Sequence, residues 1–325
     1  MIKAKSGVFA AALSVFAASV ATAQEYPTRP ITIIVPFPAG GPTDVLARLL
    51  ANSMGANLKQ QVIVETVGGA GGTIGAARAA RAPADGYTIF LNNSSHSTAP
   101  ALYAKLPYDP VTDFEPIGLV ADVPQTVVAK AGFPANDLKE LIAHVKANKD
   151  KINLANAGRG SASHLCGMLF TSAIETPLTT VAYQGTGPAM NDMLGGQVDV
   201  MCDQVTNTSA QIKAGKVKVY CVTTKTRVST LPDVPPCAEA GLPNFEASVW
   251  HGLYAPKGTP KPMLERLNEA LRSALRDETV KQRLADLGTQ PVPQNEVSPD
   301  ALQRHLTAQV AKWSSVIKQA GLAPE

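Results

Sequence analysis

Residues 31–44 read ITIIVPFPAGGPTD, and this stretch sets the pattern for the rest of the chain. Ile31–Val35 is a short run of β-branched residues, which is typical of a buried strand. The turn after it is rich in proline and glycine, and it ends at Thr43 and Asp44, two residue types that favour the N-cap of a helix. Apolar residues then recur at helical spacing between positions 45 and 54. The stretch therefore predicts a strand, a glycine turn and a capped helix.

The same unit recurs further along the chain. Strand-like runs that lead into glycine-rich or polar loops lie at residues 87–91, 152–155, 179–183 and 198–202. Strands that alternate with helices predict an α/β fold with a parallel sheet, and the last third of the chain is helical by periodicity. Ligands of open parallel sheets bind outside the carboxyl ends of the strands, which is where these loops lie. The loops are therefore the predicted ligand site.

Glycine-rich loops that precede helices suit the binding of an anion. Glycine lets backbone N–H groups approach closely, and the first turn of a helix presents unpaired N–H groups. Each charge-assisted hydrogen bond contributes about 1.5–3 kcal/mol, whereas the helix dipole adds about 0.3–1 kcal/mol. The loops thus predict a carboxylate cradle built mainly from main-chain amides.

Composition and charge exclude several classes of protein. A length of 325 residues is enough for about two domains. The 29 basic and 26 acidic residues give a net charge of +3 and form no block of like charge, which argues against nucleic acid as a partner. Glycine and proline, 25 of each, show no period, which excludes a collagen-like chain.

The N-terminus has the layout of a bacterial secretory signal. A basic start is followed by an apolar run over residues 8–20 and by the small-x-small triplet Ala21-Thr22-Ala23. An apolar run of this length is too short to span about 30 Å of hydrocarbon, so a membrane anchor is not expected. We predict a signal peptide over residues 1–23, cleavage after Ala23 and a mature protein in the periplasm.

Export changes the interpretation of the four cysteines, because an oxidising compartment favours disulfides. Cys166, Cys202, Cys221 and Cys237 allow three connectivities, and the sequence does not decide between them. We favour a bond between Cys166 and Cys202, since one lies near a helix start and the other at a strand end; free buried thiols are the alternative. No pair has C-x-x-C spacing and no H-E-x-x-H occurs, so no metal site is predicted.

The motifs of the main enzyme classes are incomplete. The chain has no G-x-x-x-x-G-K-[ST], and residues 69–74 lack the last glycine of the dinucleotide fingerprint. A serine hydrolase would use Ser161 or Ser163 with His164 as its base. However, Arg159 occupies the glycine position of G-x-S-x-G, and neighbouring residues at a helix start point apart. We predict no catalytic residues and no cofactor, and we keep a secreted serine hydrolase as the rival from another class.

A set of ordered motifs is shared with one known family. The motifs lie at residues 26–31, 35–44, 84–88, 108–110, 114–117, 160–165, 183–189, 194–199, 231–235 and 239–241. With them the sequence resembles, over the whole mature chain, the substrate-binding proteins of tripartite tricarboxylate transporters, which are also called Bug proteins.

The resemblance implies an α/β fold of the type II periplasmic binding protein kind, in which two lobes joined by a hinge close on a ligand like a Venus flytrap. By similarity, residues 24–124 and 249–325 form lobe 1 and residues 125–248 form lobe 2. The implied function is capture of a small organic carboxylate and its delivery to integral membrane transporter subunits, by a monomer without enzymatic activity. A periplasmic sensor subunit for the same ligands is the alternative, because its binding lobes would look the same.

The ligand residues that the resemblance implies lie in loops at strand ends. They are Pro38, Ala39, Gly40, Gly41, Thr43 and Asp44 from lobe 1, with Ser95 and His96 as weaker matches, and Arg159, Gly160, Ser161, Ala162, Ser163, His164, Gly185, Thr186, Gly187, Pro188 and Asp203 from lobe 2. The family varies at the position of Arg159, and an arginine there is able to pair with a second carboxylate on the ligand. This favours a dicarboxylate, aliphatic or aromatic; a solvent-facing arginine at a loop tip is the alternative.

Overall fold

The computed structural model describes residues 26–319 and residue 324. The predicted signal peptide, residues 1–23, and its cleavage site after Ala23 lie outside the described residues. Among the helices of residues 26–319, none combines the length and the apolar character that a membrane crossing requires.

Strands and helices alternate along the described chain, as the α/β class predicts. The strands of residues 26–319 are β1 (Ile31–Val35), β2 (Val62–Thr66), β3 (Thr88–Asn93), β4 (Phe114–Lys130), β5 (Asn153–Asn156), β6 (Thr179–Ala182), β7 (Val200–Gln204), β8 (Val217–Val222) and β9 (Ser248–Pro256). The α-helices of the same segment are α1 (Pro42–Leu58), α2 (Thr73–Ala80), α3 (Ser95–Leu102), α4 (Leu138–Ala147), α5 (Ala162–Ala173), α6 (Thr186–Leu194), α7 (Val205–Lys213), α8 (Lys261–Arg276), α9 (Glu278–Asp286) and α10 (Pro299–Gln319).

The strands form a sheet with the order β2-β1-β3-β9-β4-β7-β5-β6, and β8 pairs with β4. β1 runs parallel to β2 and β3, and β5 runs parallel to β6 and β7, as the strand–loop–helix units predict. The expectation of a parallel sheet is wrong for β4 and β9, which run antiparallel to their neighbours. Strand β4 carries the chain from the first half of the sheet to the second, and β9 brings it back. The two strands therefore run in opposite directions.

Strand β4 joins the two halves of the sheet. Its residues 114–124 pair with β9, and its residues 125–130 pair with β7 or β8. The change of partner falls between Pro124 and Gln125. For description we use the division that the resemblance implies: lobe 1 is residues 26–124 and 249–319, and lobe 2 is residues 125–248.

Two apolar clusters carry most of the core: one is centred on lobe 1 and also includes residues of lobe 2, and the other lies within lobe 2. In lobe 1, Ile33 of β1, Leu50 of α1 and Leu271 of α8 are fully buried in one cluster. In lobe 2, Leu141 of α4 and Phe170 of α5 are buried in another. Burial of a side chain of this size contributes about 1.5–3 kcal/mol. Helices α1 and α5, whose first turns adjoin predicted ligand loops, are thus anchored against the sheet.

Helix α1 begins earlier than the sequence predicts. Gly41 is the N-cap in place of Thr43 or Asp44, and Pro42 occupies the first helical position. Proline suits that position because it has no N–H to leave unpaired and its φ is already helical. Asp44 still stabilises the helix start, since its carboxylate accepts a hydrogen bond from the Gly40 N–H at 2.8 Å.

The four cysteines form two disulfides. Cys166 of α5 is bonded to Cys202 of β7, which is the pair favoured from the sequence, and Cys221 of β8 is bonded to Cys237. All four lie in the apolar core of lobe 2. The first bond ties α5 to β7, and both of these elements adjoin predicted ligand loops.

Candidate ligand-binding site

Loops of both lobes meet around one narrow cavity. It is lined by Phe37, Pro38, Gly41, Pro42, Thr43, Asn93, Ala157, Ser161, Ala162, Ser163, Gly185, Thr186, Gly187, Asp203 and Gln204. The volume open to the centre of a water-sized sphere is about 20 Å³, little more than a single water requires. A carboxylic acid of several carbons therefore enters only when the loops move apart.

Four helices begin at this cavity. Their N-cap residues all line it: Gly41 of α1, Ser161 of α5, Gly185 of α6 and Gln204 of α7. The first N–H groups of a helix have no partner within the helix, and they carry partial positive charge. Main-chain donors thus surround the cavity, which suits the binding of a carboxylate.

Asp44 holds the lobe 1 loop in place. Its Oδ2 accepts hydrogen bonds from the N–H of Gly40 at 2.8 Å and from Nε of Arg48 at 2.9 Å. Gly40 has a φ of +80°, which glycine adopts without strain. Ala39 and Gly40 are exposed on the outer side of the loop, and neither they nor Asp44 line the cavity. Of the predicted residues in this loop, Pro38, Gly41 and Thr43 reach it.

Thr43 and Asn93 present polar side chains to the cavity from lobe 1. Asn93 Nδ2 donates to Thr43 Oγ1 at 3.2 Å, and Thr43 Oγ1 lies 3.4 Å from His251 Nε2. All three residues are buried. Burial lowers the pKa of His251 to about 4, so its imidazole is neutral at physiological pH. These contacts fix the position of the Thr43 hydroxyl.

The loop between β5 and α5 is closed by its own side chains. Ser163 Oγ accepts a hydrogen bond from the Ala157 N–H at 2.8 Å. Ser161 Oγ accepts one from the His164 N–H at 3.2 Å. Within the described chain, neither serine hydroxyl is hydrogen-bonded to an imidazole ring, which a hydrolase nucleophile would need. The serines instead shape the loop at the start of α5.

Asp203 is the one ionisable side chain among the described residues that line the cavity. It is 1% exposed. Its Oδ1 accepts a hydrogen bond from the Gln204 N–H at 2.8 Å, and its Oδ2 accepts one from the Asn207 side-chain amide at 2.5 Å. Burial raises the pKa of Asp203 to about 7, against the smaller lowering effect of these hydrogen bonds. The carboxyl group therefore changes its charge near neutral pH.

The two lobes touch at glycines. A Cβ added to Gly185 of lobe 2 would lie 2.6 Å from Cδ of Pro38 in lobe 1. A Cβ added to Gly71 of lobe 1 would overlap the carbonyl oxygen of Arg159 in lobe 2. The absence of side chains at these positions lets the lobes approach to van der Waals contact.

Ser95 and His96 do not reach the cavity. The His96 ring packs against Phe90, Phe114 and Tyr254 at centroid distances between 4.9 and 5.6 Å. Burial lowers the pKa of His96 to about 3. Both residues lie in the first turn of α3, which starts just after β3 and is buried in lobe 1. The structure therefore removes them from the cavity lining.

Arg159 lies at the contact between the lobes. Its Nε lies 3.4 Å from the carbonyl oxygen of Leu102 in α3, which covers the tip of this loop. Next to it, His164 Nδ1 accepts a hydrogen bond from the Gly160 N–H at 3.3 Å. Arg159, Gly160, His164 and Pro188 do not line the cavity. The pairing of Arg159 with a second ligand carboxylate stays a prediction, because the guanidinium group does not line the cavity at the present spacing of the lobes.

The cavity also contains residues that the sequence analysis does not name. They are Phe37, Pro42, Asn93, Ala157 and Gln204. Asn93 and Gln204 end strands β3 and β7, so the rule that ligands bind at the carboxyl ends of strands was sufficient to find them. Phe37 and Pro42 adjoin predicted residues in the sequence, and the Ala157 N–H donates to Oγ of the predicted Ser163. Among the described residues, no group of three or more His, Cys, Asp or Glu side chains is placed to hold a metal ion.

Comparison with known proteins shows the family of this chain. Residues 46–322 match the model of the tripartite tricarboxylate transporter family receptor. The chain belongs to this receptor family.

Three solved structures are similar to this receptor. The periplasmic binding protein BugD is 52% identical with a TM-score of 0.91, over 92% of this chain and 100% of that chain. MatC from Rhodopseudomonas palustris, solved with bound malate, is 40% identical with a TM-score of 0.86, over 90% of this chain and 100% of that one. Rpa4515 from R. palustris, solved with adipate, is 32% identical with a TM-score of 0.88, over 93% and 100%. The receptor thus has the two-lobed α/β fold of a periplasmic solute-binding protein, as the resemblance implied.

Proposed function

We propose that this receptor captures a small organic carboxylate between its lobes and delivers it to the membrane subunits of a tripartite tricarboxylate transporter. The observation that carries the proposal is the convergence of four helix N-termini on a cavity with no basic side chain among its described lining residues. The partial positive charge at these N-termini adds little to the binding of a neutral solute. A carboxylate, in contrast, gains a charge-assisted hydrogen bond from each amide that it reaches.

A dicarboxylate is the favoured ligand. Helix α1 begins in lobe 1 and helices α5, α6 and α7 begin in lobe 2, so helix N-termini face the cavity from both sides. An acid with a carboxylate at each end meets donors at each end. MatC and Rpa4515 hold malate and adipate, which are both dicarboxylates.

Capture requires the lobes to open and close. The present cavity admits little more than one water, and the sheet pairing of β4 changes at Pro124 and Gln125. We place the hinge in β4 and in the partner strand β9, which returns the chain to lobe 1. The free energy of ligand binding then offsets the cost of closing the lobes.

The ligand class is tested by a thermal-shift screen of monocarboxylates and dicarboxylates, with the neutral diamide of each dicarboxylate as its control. A ligand at one hundred times its Kd stabilises the folded protein by about 2.7 kcal/mol. We expect stabilisation by acids and none by the diamides. Stabilisation by neither, or by both alike, would refute carboxylate capture. Delivery is tested by uptake of the same labelled acid in cells with and without the gene.

Closure on the ligand is tested at Gly185. Its φ is −176°, an extended conformation that any residue adopts, so alanine fits lobe 2 by itself. At the present spacing of the lobes, however, the new Cβ would lie 2.6 Å from Cδ of Pro38, and a proline ring cannot rotate away, so closure that brings Gly185 back to Pro38 around a ligand is opposed. Overpacking of this kind costs about 1–3 kcal/mol. We therefore expect Gly185→Ala to weaken acid binding by roughly tenfold to a hundredfold in calorimetry.

Gly132→Ala is the matched control for this experiment. It lies in lobe 2 at a position where an added Cβ meets no atom within 4 Å. We expect its affinity to stay at the wild-type value and the melting temperatures of both variants to remain similar. An affinity of Gly185→Ala equal to that of Gly132→Ala would show that the lobes do not close on the ligand in this way.

A further inference from the structure

The disulfide between Cys166 and Cys202 joins the two elements of lobe 2 that carry ligand-facing residues. Cys166 follows Ser163 by one turn of α5, and Ser163 lines the cavity. Cys202 directly precedes Asp203 on β7, and Asp203 lines it too. The two cysteine Cα atoms are 5.9 Å apart. Each end of the bond thus lies within about one helical turn, roughly 5.4 Å along the chain axis, of a residue that faces the ligand.

The start of α5 is held against the sheet by small side chains. Ala162, Ser163 and Gly167 are buried there, and a Cβ on Gly167 would lie 2.9 Å from Leu154 of β5. Phe170, one turn beyond Cys166, is the first large side chain of α5 in the core of lobe 2. Small side chains bury little apolar area, so they restrain the first turn weakly. Leu165 is also buried, but its buried neighbours are Leu102 and Ile317 of lobe 1 and not the sheet of lobe 2. Within lobe 2, the disulfide is the covalent restraint that joins the start of α5 to β7, in addition to the hydrogen bonds of Ser161 and Ser163.

We propose that the Cys166–Cys202 disulfide is a positioning element of the ligand site, which keeps the β5–α5 loop at a fixed distance from Asp203 and Gln204. This inference rests on the proposed function. Without the bond, the loop leaves its binding geometry in a fraction of the molecules. The apparent Kd then increases in inverse proportion to the fraction that remains competent.

The second disulfide provides a matched control. Cys221 and Cys237 lie in the same apolar core as the first pair, and no residue within two positions of either one lines the cavity. The two bonds span 36 and 16 residues of sequence, so both restrict the unfolded chain to a similar degree. A general loss of stability would follow from removal of either bond, whereas a loss of ligand affinity would follow from removal of the first alone.

The test compares the full mature protein carrying Cys166→Ala and Cys202→Ala with the same protein carrying Cys221→Ala and Cys237→Ala. Affinities for malate and for adipate are measured by calorimetry well below the melting temperature of each variant. Amide hydrogen exchange of residues 157–164 is measured without ligand. We expect both variants to melt at lower temperature, but only the first to bind roughly tenfold more weakly, in line with a competent fraction of about one in ten. Faster exchange at residues 157–164 is expected in the first variant only.

A third variant, Cys166→Ala with Cys202→Val, restores apolar volume without the bond, and we expect it to bind as weakly as the first. Equal affinity of the two alanine variants, equal exchange at residues 157–164, or recovery by the valine variant would overturn the proposal. Failure of both Cys166 variants to fold, with a folded Cys221 variant, would make the bond a folding requirement and would overturn it as well. Wild-type protein that binds no acid would refute the proposed function, whereas the exchange of the ligand-free proteins would still decide this inference.

Discussion

Asp203→Asn is expected to stabilise the protein by an amount that increases with pH. Burial raises the pKa of Asp203 from the ordinary value of 3.8 to about 7 in the folded state. Between these values the folded protein holds a proton that the unfolded chain has lost, so stability falls as pH rises through this window. Below it, both states are protonated and the penalty is absent. Above about pH 7, the penalty is complete.

The size of the effect follows from the width of the window. About three pH units at about 1.36 kcal/mol per unit correspond to a penalty of about 4 kcal/mol above pH 7. At pH 5 only about one third of it is present, because about one unit of the window has been crossed. Between pH 5 and pH 8, wild type should therefore lose roughly 2–3 kcal/mol of stability relative to the asparagine variant.

Urea unfolding of both proteins at pH 5, 6, 7 and 8 measures this difference. Loss of a hydrogen bond to Gln204 or Asn207 in the variant changes its stability by an amount that does not depend on pH, so the comparison between pH values isolates the charge. If the difference in free energy of unfolding between the two proteins stays constant from pH 5 to pH 8, the conclusion that the buried Asp203 carboxyl group has a raised pKa is refuted.

The same group connects ligand binding to protons. An ionised Asp203 repels an anion in the same cavity, so affinity for a carboxylate should fall as pH rises above about 7. Binding at pH 8 should then take up protons, which calorimetry in buffers of different ionisation enthalpy detects. The asparagine variant should show neither effect.

Two further substitutions test the lobe 2 loop. Ser161→Ala removes the N-cap bond to the His164 N–H and should lower the free energy of unfolding by about 1 kcal/mol in urea, and an unchanged value would mean that this hydroxyl does not stabilise α5. Arg159→Ala should weaken the binding of a dicarboxylate and of a monocarboxylate by the same factor in calorimetry, because its side chain lies against Leu102 outside the cavity. A larger loss for the dicarboxylate would instead place the guanidinium group on the ligand.

Local sequence patterns predict the strands and loops of the site where glycine, proline or N-cap residues mark the end of a strand or the start of a helix. Ile31–Val35 forms β1 with the predicted bounds, and the strand-end loops bring Ser161 and Thr186 to the cavity. Strand β4 is different, because Pro116 and Pro124 interrupt its pattern. Proline is tolerated in a strand at irregular positions, and the pairing of β4 with β9 shifts register just after Pro116. A pattern based on strict alternation does not find such a strand.

The direction of a side chain is harder to predict than its position in a loop. His96 follows a strand end, as a ligand residue should, but α3 begins there and turns its first residues into the aromatic cluster of lobe 1. Arg159 sits at the tip of the correct loop, and the proximity of α3 draws it away from the cavity. Both outcomes depend on α3, which contains His96 and is remote in sequence from Arg159. Tertiary packing therefore decides which loop residues face the ligand.

The distribution of charge around the cavity also determines how the receptor distinguishes between acids. A guanidinium group would hold a carboxylate in one bidentate orientation, whereas the N–H groups at helix N-termini allow the carboxylate several orientations. With no lysine or arginine among the described lining residues, discrimination rests on the walls formed by Phe37, Pro38 and Ala157 and on the charge of Asp203. Two acids of equal charge but different width are then distinguished by the walls at any pH. Acids that differ in their number of ionised groups are distinguished by the helix N-termini, which favour a carboxylate at each end, and also by Asp203 at pH values where it has lost its proton.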